Sequence, residues 1–171
     1  MDILRAVKER RSIRDFQRKD IPADLVSALL EALIWAPSAG NLQSRKFYVV
    51  KNEQIKKMLA RAALNQYFIT EAPLVIVGCA DNRISHKYGA RGVDLYSIQD
   101  VALSIMGMML VAHEHGLGST WVGAFQESEV VKILRCPRHL RPVAIVPVGY
   151  PSRIPSPPPR VSIKEAVEVI E

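Results

Sequence analysis

Residues 94–115 constrain the fold of this chain more than any other stretch. They read as one long helix that from Val101 onward is apolar around most of its circumference, with only Ser104 and Gly107 interrupting the run to Ala112. A surface helix keeps a polar face, and a helix without one has to be covered on every side. The apolar run is well short of the roughly 18 residues expected of a membrane span, so it is expected to be buried in protein, with no membrane partner. A chain of 171 residues makes one domain of ordinary size with limited cover to offer. Part of that cover is therefore expected from a second subunit.

Around this helix the pattern alternates irregularly. Residues 2–9 form a short helix with Asp2 as N-cap. Pro22 suits a first helical position, ahead of Leu25, Leu29, Leu30 and Leu33 at helical spacing, and the helix ends before Pro37. Residues 37–41 are loop by composition. A strand is expected over 46–50, a helix over 53–63 and a strand over 74–79, the last so uniformly apolar that both its faces must be buried. Residues 86–92 read as a polar loop, with Gly116 and Gly118 closing the long helix after it. A short strand follows at 120–122, then a helix at 127–134 and a buried strand at 143–148. The tail from 151 to 159 holds five prolines and reads as an extended arm, and an amphipathic helix is expected over 162–170. With no internal repeat or linker, residues 1–171 form a single α+β domain with a sheet between helical layers and a C-terminal arm over about 151–171.

The hydrophobic share, 49%, is that of a globular protein. Residues 1–5 carry an early acid and no apolar core, so no signal peptide is expected. With Cys79 and Cys136 at no metal or redox spacing, the cytoplasm is the expected compartment and no metal is expected. The net charge of +6 points to an anionic partner. Only 6% of residues are aromatic and the cations are scattered, which disfavours nucleic acid and leaves a small phosphorylated ligand.

Individual motifs leave alternatives open. Arg10, Arg11 and Arg14 with Ser12 place three guanidinium forks beside a hydroxyl just past a helix, a pattern that suits phosphate oxygens and equally a solvated basic turn. Pro37, Ser38, Ala39, Gly40 and Asn41 combine hydroxyl, amide and permissive backbone, but any helix–strand connection can look like this. Gly116-Leu117-Gly118-Ser119-Thr120 follows a helix and lacks the third glycine of a dinucleotide fingerprint. His113 and His115 point to different sides of a helix, so they are not a zinc pair. No catalytic triad or other nucleophile–base arrangement is supported by spacing.

Taken together, four segments resemble the nitroreductase family in order and spacing across nearly the whole chain. They are residues 7–16, residues 36–43, residues 100–123 and residues 141–151, the last being Arg-Pro-Val-Ala-Ile-Val-Pro-Val-Gly-Tyr-Pro. The resemblance implies a three-layer α/β/α sandwich with a mixed, mostly antiparallel sheet, forming an intertwined homodimer with FMN at the interface. It implies that Arg10, Arg11 and Arg160 grip the FMN phosphate, while Ser12 and Arg14 follow the ribityl chain to the pyrimidine end. Arg14 there would act as a charge stabiliser. Pro37, Ser38, Ala39 and Asn41 would cover the flavin from the other subunit. Asn65 would bond the pyrimidine edge, and Val122, Gly123 and Ala124 would pass the ring with backbone groups. No side-chain catalyst is then required, because the cofactor carries the chemistry. NADH or NADPH would donate hydride, and a small-molecule acceptor such as a nitroaromatic or a quinone would take it in ping-pong order. Alternatives are a flavin-binding sensor or carrier without turnover, and a specialised family reaction such as reductive dehalogenation. The chain lacks the long insertion that larger relatives place between the second strand and the central helix.

Overall fold

The computed structural model describes residues 2–171. Eleven elements follow in order: α1 (Ile3–Glu9), α2 (Ala23–Trp35), β1 (Arg45–Val50), α3 (Glu53–Ala62), β2 (Leu74–Asp81), α4 (Ser85–Arg91), α5 (Ser97–Glu114), β3 (Gly118–Ser119), α6 (Glu127–Leu134), β4 (Leu140–Gly149) and α7 (Ile163–Ala166). The Asp2 carboxylate accepts from the Leu4 amide to open α1, and Asn52 accepts from Gln54 and Ile55 to open α3. Pro22 stands at the N-cap of α2, one place before the expected first helical position.

The sheet has strand order β1-β2-β4-β3. Its named strands all pair antiparallel, and the one parallel contact is the bridge between Ser12 and Ser119. The expected mixed character thus amounts to a single bridge. All eight residues of β2 are buried, and the period-two geometry of a strand sends them to two cores. Leu74, Ile76 and Ala80 join Ala144, Val146 and Val148 of β4 beneath α2 and α5, where they meet Leu29, Leu33, Val101, Ile105 and Met108. Val75, Val77 and Cys79 join Ile145 beneath α3 and α6, against Leu59, Ala60 and Val130. Helices thus cover both faces, giving three layers.

Residues 82–114 form a helical stretch long and apolar enough by composition to cross a membrane. Val101, Ile105 and Met108, with no exposure, place it instead as a core helix. Its far side stays open: Leu103 and Met106 of α5 are exposed, as are Ile34 and Trp35 of α2.

Four expectations change. Residues 86–92 are not a loop, because α4 occupies Ser85–Arg91 and a π turn at Gly92–Tyr96 carries it into α5. Polar composition there records exposure rather than irregular backbone, and Gly89, at φ 55° and ψ −146°, supplies the kink that a side chain would resist. The strand expected at 120–122 lies two residues earlier, at Gly118–Ser119, with only Val122 bridging to Ile145. β4 runs longer, from Leu140. The C-terminal helix shrinks to the single turn Ile163–Ala166 despite a complete Ser162–Glu165 capping box. Its apolar residues Ile163, Val167, Val169 and Ile170 are exposed, so no packing supports a helix too short to persist on propensity.

Candidate functional site

The site begins where α1 stops. From Arg10 the backbone turns extended, and the Ile13 amide bonds the Ser119 carbonyl at 3.0 Å. Ile13 is buried against Gly118, where an added Cβ would lie 2.5 Å from the Ile13 side chain, so only glycine lets the two segments approach this closely. With Ile13 inward, alternation leaves Ser12 and Arg14 facing away from it.

The chain's other end is tied to this segment. Gln17 N bonds the Tyr150 carbonyl at 2.9 Å and Ser152 N bonds the Asp15 carbonyl at 2.9 Å, with Phe16 bridging Pro151. The proline-rich arm therefore leaves β4 alongside residues 12–16. It encloses a cavity of about 280 Å³ with Arg10, Arg11, Ser12 and Arg14 on one side and Pro155, Ser156, Pro158 and Arg160 on the other. Burial, then Arg160, then Arg11 hold the Arg10 guanidinium below its ordinary value. Arg10 Nε and one terminal nitrogen are buried with no hydrogen-bond partner. Arg11 turns one nitrogen to the carbonyls of Lys8 (2.6 Å) and Arg10 (2.9 Å), and Arg160 turns one to Pro159 (3.0 Å). No carboxylate contributes to the shift of Arg10.

Asn65 lies in a second group. It sits in the left-handed region at φ 63°, and the Tyr67 hydroxyl donates to its Oδ1 at 3.1 Å. Next to it, Gln66 donates to the Ala124 carbonyl at 3.2 Å, and Gln126 N bonds the Ala62 carbonyl. Val122 is buried through its paired bonds with Ile145, which leaves Gly123 and Ala124 exposed beside Asn65. Residues 118–124 thus run as one ribbon from the arginines to this second group. Pro37, Ser38, Ala39 and Asn41 do not line the arginine cavity of their own chain: Pro37 follows α2, Ser38 caps a 3₁₀ turn at Ala39–Asn41, and Gly40 of that turn sits against Tyr88.

The Nitroreductase family model matches residues 7–67 and 58–150. The chain belongs to the nitroreductase family. It is 30% identical to a Thermus thermophilus protein named NADH dehydrogenase, across 98% of this chain and 95% of that one. It is 25% identical to a Bacillus subtilis FMN reductase [NAD(P)H], across 97% of this chain and 72% of that one. The NfrA1 nitroreductase structure from B. subtilis superposes with a TM-score of 0.90 at 22% identity, covering 98% of this chain and 73% of that one.

Two features of this chain were not foreseen from its sequence. Asp100 on α5 is 2% exposed, and its carboxylate accepts from Ala39 N (2.9 Å) and Ser44 N (3.3 Å). It pins both ends of the 39–44 loop, and the available signal was one acid entering an apolar helix. Arg45 caps α2, donating to the carbonyls of Ile34 (3.0 Å), Ala36 (2.8 Å) and Pro37 (3.1 Å). Burial lowers its pKa while Asp100 raises it. Cys79 is a buried hydrophobe whose thiol is pushed up by burial and by Cys136, which removes it as a nucleophile. No group of three or more His, Cys, Asp or Glu side chains poised for a metal occurs among the described residues.

Proposed function

We propose that this chain is an FMN-dependent oxidoreductase that takes hydride from NADH or NADPH and passes it to a small electron-poor acceptor, working as a homodimer. The observation that carries this reading is the meeting of Arg10, Arg11 and Arg160 at one cavity without a counterion. Like charges held together without a counterion are costly, and an anion of matching charge relieves that cost. A phosphomonoester, near −2 with three acceptor oxygens, suits guanidinium forks in both charge and geometry. The family and its relative named FMN reductase supply the flavin to which that phosphate belongs.

The remaining residues then have defined tasks. Ser12 and Arg14 line the same cavity beyond the phosphate arginines and follow the ribityl chain. Arg14 places a permanent cation where negative charge accumulates on reduction. The exposed backbone of Gly123 and Ala124 offers close approach to a flat ring, with Asn65 at its polar edge. When bound, FMN supplies the hydride chemistry itself. The Pro37–Asn41 turn, braced by Asp100, covers the ring of the partner subunit, consistent with its absence from the lining of the arginine cavity in its own chain. The exposed apolar residues of α2 and α5 are the surface through which two copies meet.

The test is direct. Purified protein, or protein given FMN, shows flavin absorbance that bleaches on anaerobic addition of NADH or NADPH. Protein that stays colourless with FMN present refutes the cofactor, and bound flavin that neither nucleotide reduces refutes the enzyme.

A further inference from the structure

A second, smaller cavity of about 110 Å³ lies on another side of Arg10 and Arg11, walled by the end of α5 and by β3. Most of its wall is apolar, from Ile13, Leu117, Pro151 and Ile154. Its one carboxylate, Glu9, is engaged by Arg5 Nε at 2.9 Å. What remains is an unusual pairing: Arg10 Nε and a terminal nitrogen, and His113 Nε2, all buried, all without partners. Buried polar atoms are rarely left unpaired, and each such group calls for a physical reason.

We infer that His113 is a positioning residue for Arg10, accepting hydrogen bonds from its guanidinium through water held in this cavity. The inference rests on the flavin-phosphate reading of the arginine cluster. The chemistry is complementary: Arg10 has only donors, and the imidazole presents an acceptor at Nε2 when its proton is on Nδ1. A volume of about 110 Å³ is ample for water to bridge the two groups. The relay engages the buried Nε and terminal nitrogen of Arg10 and leaves the remaining terminal nitrogen for phosphate oxygens. Without it the guanidinium has no partner orienting it, and the rotamer order lost on binding has to be supplied by the ligand. His113 belongs to the long central helix, whose packing against the sheet makes it a rigid mount.

The experiment uses flavin-stripped full-length chain and the substitutions His113→Leu, His113→Ala and His113→Gln. Dissociation constants for FMN and riboflavin are read by fluorescence, and the protection given by inorganic phosphate is read as the rise in Tm. Expected is a roughly tenfold weaker FMN constant for the Leu and Ala variants, with riboflavin binding unchanged and the phosphate-induced rise in Tm reduced. Gln, which restores an acceptor oxygen, returns FMN affinity to within about twofold of the parent. Equal FMN affinity in all four proteins overturns the inference, as does parallel loss of FMN and riboflavin, which marks a merely structural role. If the parent chain itself binds riboflavin as well as FMN, the phosphate reading fails. His113 is then judged by the phosphate-induced Tm rise alone: a rise reduced in the Leu and Ala variants supports it, and an equal rise in all four overturns it.

Discussion

Replacing Arg10 by alanine is expected to move two quantities in opposite directions. In the flavin-free chain the guanidinium is destabilising: burial, Arg160 and Arg11 all lower its pKa. For a base, a folded-state pKa below the unfolded one means that the charged form is disfavoured by folding at neutral pH. Leaving buried donors unsatisfied costs about 1–3 kcal/mol, and two Arg10 nitrogens have no protein partner, a cost that water in the adjoining cavity offsets only in part. Removing the side chain recovers that cost and forfeits some stem packing, for a net stabilisation of about 1 kcal/mol, or roughly 2–4 °C in Tm for a chain of this size. With FMN the sign reverses. Hydrogen bonds to charged groups contribute about 1.5–3 kcal/mol, which is roughly a 10- to 150-fold weaker Kd at 1.4 kcal/mol per decade. Fluorescence titration and melting of stripped protein, with and without saturating FMN, measure both. Arg10→Lys separates charge from fork, and is expected to keep part of the affinity. A variant that melts well below the parent when stripped, yet binds FMN within twofold of it, would show that Arg10 is structural, and the argument from the uncompensated cluster would fall.

Asp100→Asn replaces one of two acceptor oxygens with a donor facing a backbone amide, and is expected to destabilise by about 2–3 kcal/mol through one orphaned N–H. Chemical denaturation measures it, and a change under 0.5 kcal/mol would show that the loop holds itself. Leu103→Glu combined with Met106→Glu puts two charges on the open face of α5 and is expected to yield a folded monomer by light scattering. A persistent dimer would relocate the interface. Glu127 is held below its ordinary pKa by Arg141, an ion pair at 2.9 Å that is about half exposed on both sides. Because the folded pKa is depressed, its contribution is present above the unfolded value near 4.3 and fades as pH falls through the folded value. Screening limits it to less than about 1 kcal/mol. Glu127→Gln is expected to lower Tm slightly at pH 7, with the deficit shrinking as pH falls through the folded value, and a deficit that does not change with pH would refute the ion-pair account.

How far the sequence discloses this molecule depends on whether a feature is written locally. β2 was legible because the apolar run from Leu74 to Cys79 can only be covered on both faces, and α6 because its apolar spacing and boundaries agree. α4 was not, since His86 to Gly92 is polar by exposure while its backbone is helical on both sides of the Gly89 kink, with Tyr88 packing edge-on against Tyr96 at 5.3 Å. α7 failed in the other direction: a capping box and apolar spacing were present, but a helix of this length needs a surface to lie on. The meeting of Arg10 with Arg160 spans the chain, and the resemblance implied it. The structure adds the cause, because pairing of residues 15–17 with 150–152 is what returns the arm to the arginines.

Asp100 is the most instructive omission. A lone acid in an apolar helix looks like a flaw in the packing until the two amides it serves are known, and those lie some 60 residues earlier. The loop it fixes does not reach the arginine cavity of its own chain, and the helix it sits on leaves Leu103 and Met106 uncovered. Under the proposed assembly these are one fact. The second copy that closes the apolar face of α5 is also the copy whose braced turn completes the flavin site, so assembly and cofactor binding should be linked. Anything that binds only the assembled form stabilises it by mass action. Adding FMN to a dilute, stripped chain is therefore expected to shift it toward dimer, and an FMN-loaded monomer of undiminished affinity would separate the two.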